Sequence, residues 1–177
     1  MDNANHKAQL EIRDPIHGAI LLSPEEIQIV DSPYVQRLRG IKQTGFAELA
    51  FPGATHVRYS HSLGAFFLAG KIFNIIFKDF EWKDEEERKR FRFALRIAAL
   101  LHDVGHGPLS HAAEAAMPPR SEVLGEGEGQ ATHEDYTEAI ILRSSLTEKL
   151  KSVFGKDFPL AVASIIVVRL TIVSTPL

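Results

Sequence analysis

Residues 84–111 read DEEERKRFRFALRIAALLHDVGHGPLSH, and the fold turns on them. Asp84 to Arg90 is a charged, solvated turn and a half. Phe91, Ala94, Leu95, Ala98 and Leu101 then follow at i, i+3, i+4, i+7 and i+10. That spacing lays an apolar stripe along one face of a long helix, predicted to stop near Gly105. His102 and Asp103 come straight after Leu100 and Leu101, so an imidazole and a carboxylate leave the core together. Burying both without a partner is costly, and a divalent cation is one partner that both accept. A histidine that only complements the helix dipole would leave the same pattern.

On the N-terminal side, Tyr59 to Phe77 is apolar almost all round and reads as a central, buried helix. Gly45 to Thr55, with Phe51-Pro52-Gly53, reads as a loop. Ser23-Pro24-Glu25-Glu26 supplies an N-cap, a proline at the first helical position and acids at the positive end of the dipole, predicting a helix over 24–31. Asp31-Ser32-Pro33 repeats the signal for a helix over 33–43. Glu11 to Leu22, centred on a DPIHG turn, predicts a short hairpin or extended arm at an edge.

On the C-terminal side, Pro108 to Met117 is an Ala-rich helical turn or two, and Ser121 to Gln130 reads as a mobile polar loop with no core residue. Thr132 caps a helix that opens His133-Glu134-Asp135, and Leu146 to Phe154 is a further helix. Leu160 to Val173 is helix or buried strand, which periodicity does not separate. The expected architecture is all-α with a minor β arm, in one domain: 1–10 a disordered N-terminus, 11–177 the folded unit.

Composition narrows the chemistry. The 177 residues carry a net charge of −3, so no global positive field exists to hold a nucleic-acid backbone. No cysteine is present, which removes disulfides, thiolate metal sites and Cys nucleophiles together. Met1 to Gln9 lacks the apolar run of a secretory signal, so a cytoplasmic location is expected. Leu160 to Val173 is interrupted by Ser164, Arg169 and Thr171 and falls short of the about 18 residues of a membrane span.

Six of the eight histidines fall between residues 56 and 133. Without cysteine, such clustering points to imidazole ligands for a divalent metal, with carboxylates completing the shell. His61 opens the buried helix, where it can face residues 102 and 103; a satisfied core histidine is the plainer alternative. Arg58, one turn earlier, suits an anionic oxygen beside a metal, unless it is a solvated surface arginine. His111 precedes Glu114 by three residues, so a carboxylate can orient that imidazole as a general acid, although surface i, i+3 pairs look alike. His133 at a helix N-terminus joins an imidazole to free backbone N–H groups, a setting for phosphate.

Five motifs in order, DPIHG at 14–18, QRLRGIKQ at 36–43, FPGATHVRYSHSLG at 51–64, HDVGHGPLSH at 102–111 and THE at 132–134, resemble the HD-domain phosphohydrolases. The resemblance is to their deoxynucleoside triphosphate triphosphohydrolase branch and covers roughly residues 11–142. It implies an HD-domain helical core and a metal held by His61, His102 and Asp103. It implies that Arg58, His106 and His133 contact the triphosphate of a nucleotide substrate, and that His111 with Glu114 supplies the acid. His106 and His133 belong to that catalytic group, and Gln43 matches a position near the deoxyribose. Asp31, Gln36 and Arg39 match positions that read a regulatory guanine nucleotide in some members. The metal is divalent, with Mn, Mg, Fe, Zn and Ni all compatible, and a homo-oligomer is compatible with the family.

One departure stands out. The family completes its metal shell with a second Asp in a downstream motif like DxDRxDY, and no such string occurs here. After Glu134 the acids are Asp135, Glu138, Glu148 and Asp157, with Asp157 the nearest candidate by sequence. The chain is therefore expected to be a C-terminally truncated HD domain, with a weak three-ligand site, impaired hydrolysis and a poorly packed apolar segment from Leu160.

Overall fold

The computed structural model describes residues 10–167. Strands β1 (Leu10–Asp14) and β2 (Gly18–Leu22) form an antiparallel hairpin with Leu10 opposite Leu22 and Asp14 opposite Gly18. Asp14 Oδ1 accepts from the backbone N–H groups of Ile16 and His17, and Gly18 takes φ +72°, so the DPIHG sequence closes the turn. The arm is more than an edge: β2 buries Ile20 and Leu22 completely in the helical core. Of the expected disordered stretch 1–10, residues 1–9 lie outside the described residues and Leu10 begins β1.

Helix α1 (Pro24–Val30) opens with a full capping box between Ser23 and Glu26. Helix α2 (Pro33–Gln36) passes into a 3₁₀ turn over Arg37–Gly40 and ends there, short of the expected residue 43. The reason is the use made of the next residues: the Ile41 carbonyl accepts from Arg58 N–H at 2.8 Å and Lys42 bridges to Val57, which demands extended backbone. A further 3₁₀ turn over Gly45–Leu49 interrupts the expected loop.

Helices α3 (Arg58–Ile76) and α4 (Glu85–Leu101) pack on one another and form the frame of the site. Tyr59, Leu63, Phe66 and Phe73 bury one side of α3, while Ile72, Ile75 and Ile76 near its end are exposed, Ile75 by 74%. An all-round apolar helix marks no face to leave outside, so the expectation of burial throughout fails there. Arg96 of α4 is buried, forks onto Glu26 at 2.6 and 3.1 Å, donates to the Leu21 carbonyl and lies 3.8 Å over the Phe66 ring. This pair ties the hairpin, α1 and α3 to α4.

After a 3₁₀ segment (Ser110–Ala116), the expected core-free loop contains α5 (Arg120–Leu124), whose Leu124 is buried. One leucine in a Gly-spaced polar stretch is too little periodicity to read in advance. Helices α6 (His133–Arg143), α7 (Ser145–Phe154) and α8 (Phe158–Ile166) complete the fold. The ambiguous segment is thus helical up to Ile166, while residues 168–173 lie outside the described residues. Its described part does not pack poorly. Val162 is fully buried and Ala163 nearly so, next to fully buried Phe158, with Val162 and Phe158 each contributing roughly 1.5–3 kcal/mol, while Leu160, Ser164 and Ile165 are exposed. Among the described residues no helix is long and apolar enough to cross a membrane.

Candidate metal centre

The end of α4 delivers the first group. His102 is its C-cap residue, and its Nδ1–H donates to the Ala99 carbonyl at 2.8 Å, so Nε2 is the ring nitrogen left to face a cation. His61, in the first turn of α3, turns its Nε2 to within 3.2 Å of His102 Nε2. Asp103 places Oδ1 3.3 Å from His102 and Oδ2 3.8 Å from His61. Ligand bonds of about 2.1 Å to one ion put donor atoms roughly 3.0–3.4 Å apart, so two imidazoles and a carboxylate already stand near the spacing of a shared divalent cation. Burial, ahead of the neighbouring His102 and Arg58 charges, pushes the His61 pKa down and keeps its ring in the ligating form. Burial pushes Asp103 up, but the His102 and Arg58 charges outweigh it and hold the carboxylate ionised.

Arg58 is 2% exposed, and its Nη1 donates to Asp103 Oδ2 at 2.6 Å while Nη2 donates to Ser110 Oγ at 2.6 Å. Its immediate partner is therefore the buried carboxylate, which needs a counter-charge. Its Nε is buried without a partner. Ser110 reaches Arg58 because Leu109 and Ser110 both take positive φ, at 72° and 57°. Nothing in the sequence flagged that turn.

The second group lies beside the first. Nδ1 of His111 donates to Glu114 Oε1 at 3.1 Å, and Nδ1 of His133 bonds the same oxygen. Burial pushes Glu114 up, but the hydrogen bonds from His133 and His111 prevail and hold it below the usual carboxylate range. His106 is fully buried, stacks on His133 with ring centroids 3.7 Å apart, and leaves Nδ1 without a partner. Burial first, then His133 and Arg58, lower its pKa to about 3, so it stays neutral. Nitrogens of His106, His111 and His133 all lie within 4.8 Å of one another.

Three residues that sequence reasoning missed position these groups. Arg37 donates to the carbonyls of Val104 and His106, both at 2.7 Å, clamping the turn after Asp103. Thr137 of α6, fully buried, accepts from Gly105 N–H and donates to the His102 carbonyl. Gly105 is obligatory there: a Cβ would collide with the His133 carbonyl and come within 2.5 Å of Thr137 N. The readable signal was Gly105 itself, standing between two histidines.

The remaining expected positions are less tightly gathered. Gln43 lies behind Arg58, which donates to its carbonyl, and its Oε1 is buried without a partner. Gln36 donates to the Val30 carbonyl and accepts from Arg39, whose guanidinium sits 3.6 Å over the Tyr59 ring. Asp31 faces a separate cleft of about 450 Å³ with Tyr34, Ser145 and Lys149, which Gln36 and Arg39 do not line. Asp135 is committed to the Thr132 capping box and to Arg120, and Asp157 belongs to neither histidine group. Clefts of about 700 and 800 Å³ lie elsewhere and are lined by no histidine; of the imidazoles, His61 and His111 are exposed, His102 and His133 partly so, and His106 is buried.

Residues 58–167, which hold both groups, match the HD domain. The chain belongs to the HD domain family. Within it, the chain is 42% identical over 123 residues to the deoxynucleoside triphosphate triphosphohydrolase SAMHD1 of Homo sapiens, 70% of this chain and 19% of that protein. It is 47% identical over 103 residues to an uncharacterized protein of Methanocaldococcus jannaschii, 58% of this chain and 20% of the other. The crystal structure of a hypothetical protein from Aquifex aeolicus superposes with a TM-score of 0.69 at 31% identity, covering 89% of this chain and 37% of that one. The chain spans about a fifth of the length of the two curated relatives named here. The chain itself has a mostly helical HD-like fold with a short N-terminal β-hairpin.

Proposed function

We propose that this HD domain is a metal-dependent phosphohydrolase that cleaves a deoxynucleoside triphosphate to the deoxynucleoside and inorganic triphosphate. The observation that carries the reading is the adjacency of a His61, His102 and Asp103 donor set to a carboxylate-oriented imidazole pair. A divalent ion held by those three residues supplies Lewis-acid polarisation of a phosphoryl oxygen. Arg58 is in the first place a positioning residue, keeping Asp103 ionised and aimed. Neutral His106, with an unpartnered nitrogen, and His133 at the start of α6 offer N–H donors to the phosphate chain. The orphan Oε1 of Gln43 is an acceptor for a sugar hydroxyl.

His111 with Glu114 carries the proton. Water attacks the α-phosphorus and gives up a proton to solvent, the bond from that phosphorus to the 5′ oxygen breaks, and His111 Nε2–H protonates the departing oxygen while Glu114 stabilises the imidazolium through Nδ1–H. A second reading is a nucleotide-binding module with little turnover, since the group facing the shared point among the described residues has three donors, His61, His102 and Asp103. Incubation with each of the four dNTPs and Mn²⁺ or Mg²⁺, with products resolved by phosphorus NMR, tests the proposal. Tripolyphosphate is expected, at a low rate given three donors. Orthophosphate or pyrophosphate as the product would overturn the reaction type, and binding without any turnover would favour the module.

A further inference from the structure

A narrow cleft of about 180 Å³ opens between β2, α3 and α4, roughly 14 Å along α3 from His61. Gly70 forms part of its wall. A Cβ at Gly70 would lie 2.6 Å from Arg96 Nη1 and 3.4 Å from Arg92 Nη2, so two guanidinium groups converge on space that any other residue would fill. Arg96 spends Nε and Nη2 on Glu26 and the Leu21 carbonyl, which leaves Nη1 as its edge toward Gly70. Arg92 has no hydrogen-bonded carboxylate among the described residues, and burial followed by the Arg96 charge lowers its pKa in spite of the opposing Glu26 charge. Lys71 stands on the rim, held 4.6 Å over the Phe67 ring. Three cations thus meet one carboxylate, Glu26, already forked to Arg96.

We propose that this notch binds a phosphate-type oxyanion, with Arg92 and Arg96 donating N–H groups from two sides and Lys71 closing the rim. The chemistry is that of charge-assisted hydrogen bonds in a fixed fork, which matches tetrahedral oxyanions. The space is below the 300–1,000 Å³ of an ordinary small-molecule pocket, so it takes a single phosphoryl group and not a nucleoside. That group comes either from free phosphate or from the end of a phosphate chain whose remainder stays in solvent. A bound anion would clamp α3 to α4, the two helices that carry His61 and His102.

The test is calorimetric titration of the full, chelator-dialysed chain with orthophosphate, tripolyphosphate and dGTP. Orthophosphate is expected to bind at one site. Arg92→Gln should weaken it tenfold or more, Gly70→Ala should abolish it, and Lys151→Gln, which removes an exposed cation on α7, should leave it unchanged. Because Gly70→Ala presses on the Arg96 fork and can disturb folding, the half-buried Arg92→Gln carries the decision. Equal affinity for all three ligands assigns the site to a lone phosphoryl group, whereas a tenfold gain for tripolyphosphate and dGTP that Arg92→Gln removes assigns it to a chain end. Orthophosphate binding unaltered by Arg92→Gln, or lost with Lys151→Gln, or absent at millimolar concentration, overturns the proposal.

Discussion

The two imidazole groups sit side by side, yet they are wired differently. In the first, His102 is fixed by a backbone carbonyl and His61 faces it nitrogen to nitrogen, with an Arg-backed carboxylate closing the triangle. In the second, one carboxylate oxygen takes the Nδ1 of both His111 and His133, and His106 and His133 lie face to face, 15° from parallel. An imidazole coordinates in its ring plane, and two stacked planes do not share an ion lying in both. Spacing alone qualifies either group for a metal. Orientation therefore favours the first group for a shared ion, which is where the proposed function puts the metal, with the second group kept for protons and anions.

The sharpest way to break this contrast is Asp103→Asn. It removes the anionic donor and strands the buried Arg58 charge, which should cost about 3–5 kcal/mol in stability and reduce metal content at least tenfold. Urea unfolding and elemental analysis after dialysis read both effects, and a stable variant with full metal would show the first group organised some other way. His111→Ala tests the opposite side: triphosphate release should fall about 10²-fold with metal content unchanged. Equal losses of both would make His111 a ligand.

A pH experiment on chelator-dialysed protein sharpens the comparison further. His106 has a folded-state pKa of about 3 against about 6.5 unfolded, so only the unfolded chain takes up its proton between those values. Stability from this source is intact above about pH 6.5 and declines as pH falls toward 3. His106→Asn should flatten that acid limb of the melting curve, and an unchanged limb would place the titration elsewhere. The smallest effect expected is from Thr132→Ala, which removes the α6 cap beside His133 at about 1 kcal/mol, or a drop of about 2–4 °C in Tm. It should leave metal content untouched.

Much of this contrast was legible in the chain. The stripe from Phe91 to Leu101 placed His102 and Asp103 at a helix end, and the Ser23 and Thr132 caps fixed where α1 and α6 begin. The i, i+3 spacing of His111 and Glu114 foretold their hydrogen bond. What stayed hidden depends on contacts distant in sequence. The Arg58–Asp103 pair is one such contact, because nothing local shows that Asp103 is buried and takes a guanidinium as partner. Arg37 and Thr137 clamp the turn through backbone carbonyls, which carry no residue signature. The exposed end of α3 and the well-packed α8 were misjudged for one reason: hydrophobic residues alone do not say which surface another element will cover.

The collision that a side chain at Gly105 would suffer has a bearing on how this domain can vary. The chain of α6 rests directly on the chain of the Asp103–His106 turn, so the offset between the two imidazole groups is gauged by main-chain thickness and not by the segment joining them. Lengthening or shortening that segment around Gly125–Gly129 should therefore leave the spacing of His106 and His133 intact. This makes the loop a place where the domain can accept new sequence without retuning its chemistry.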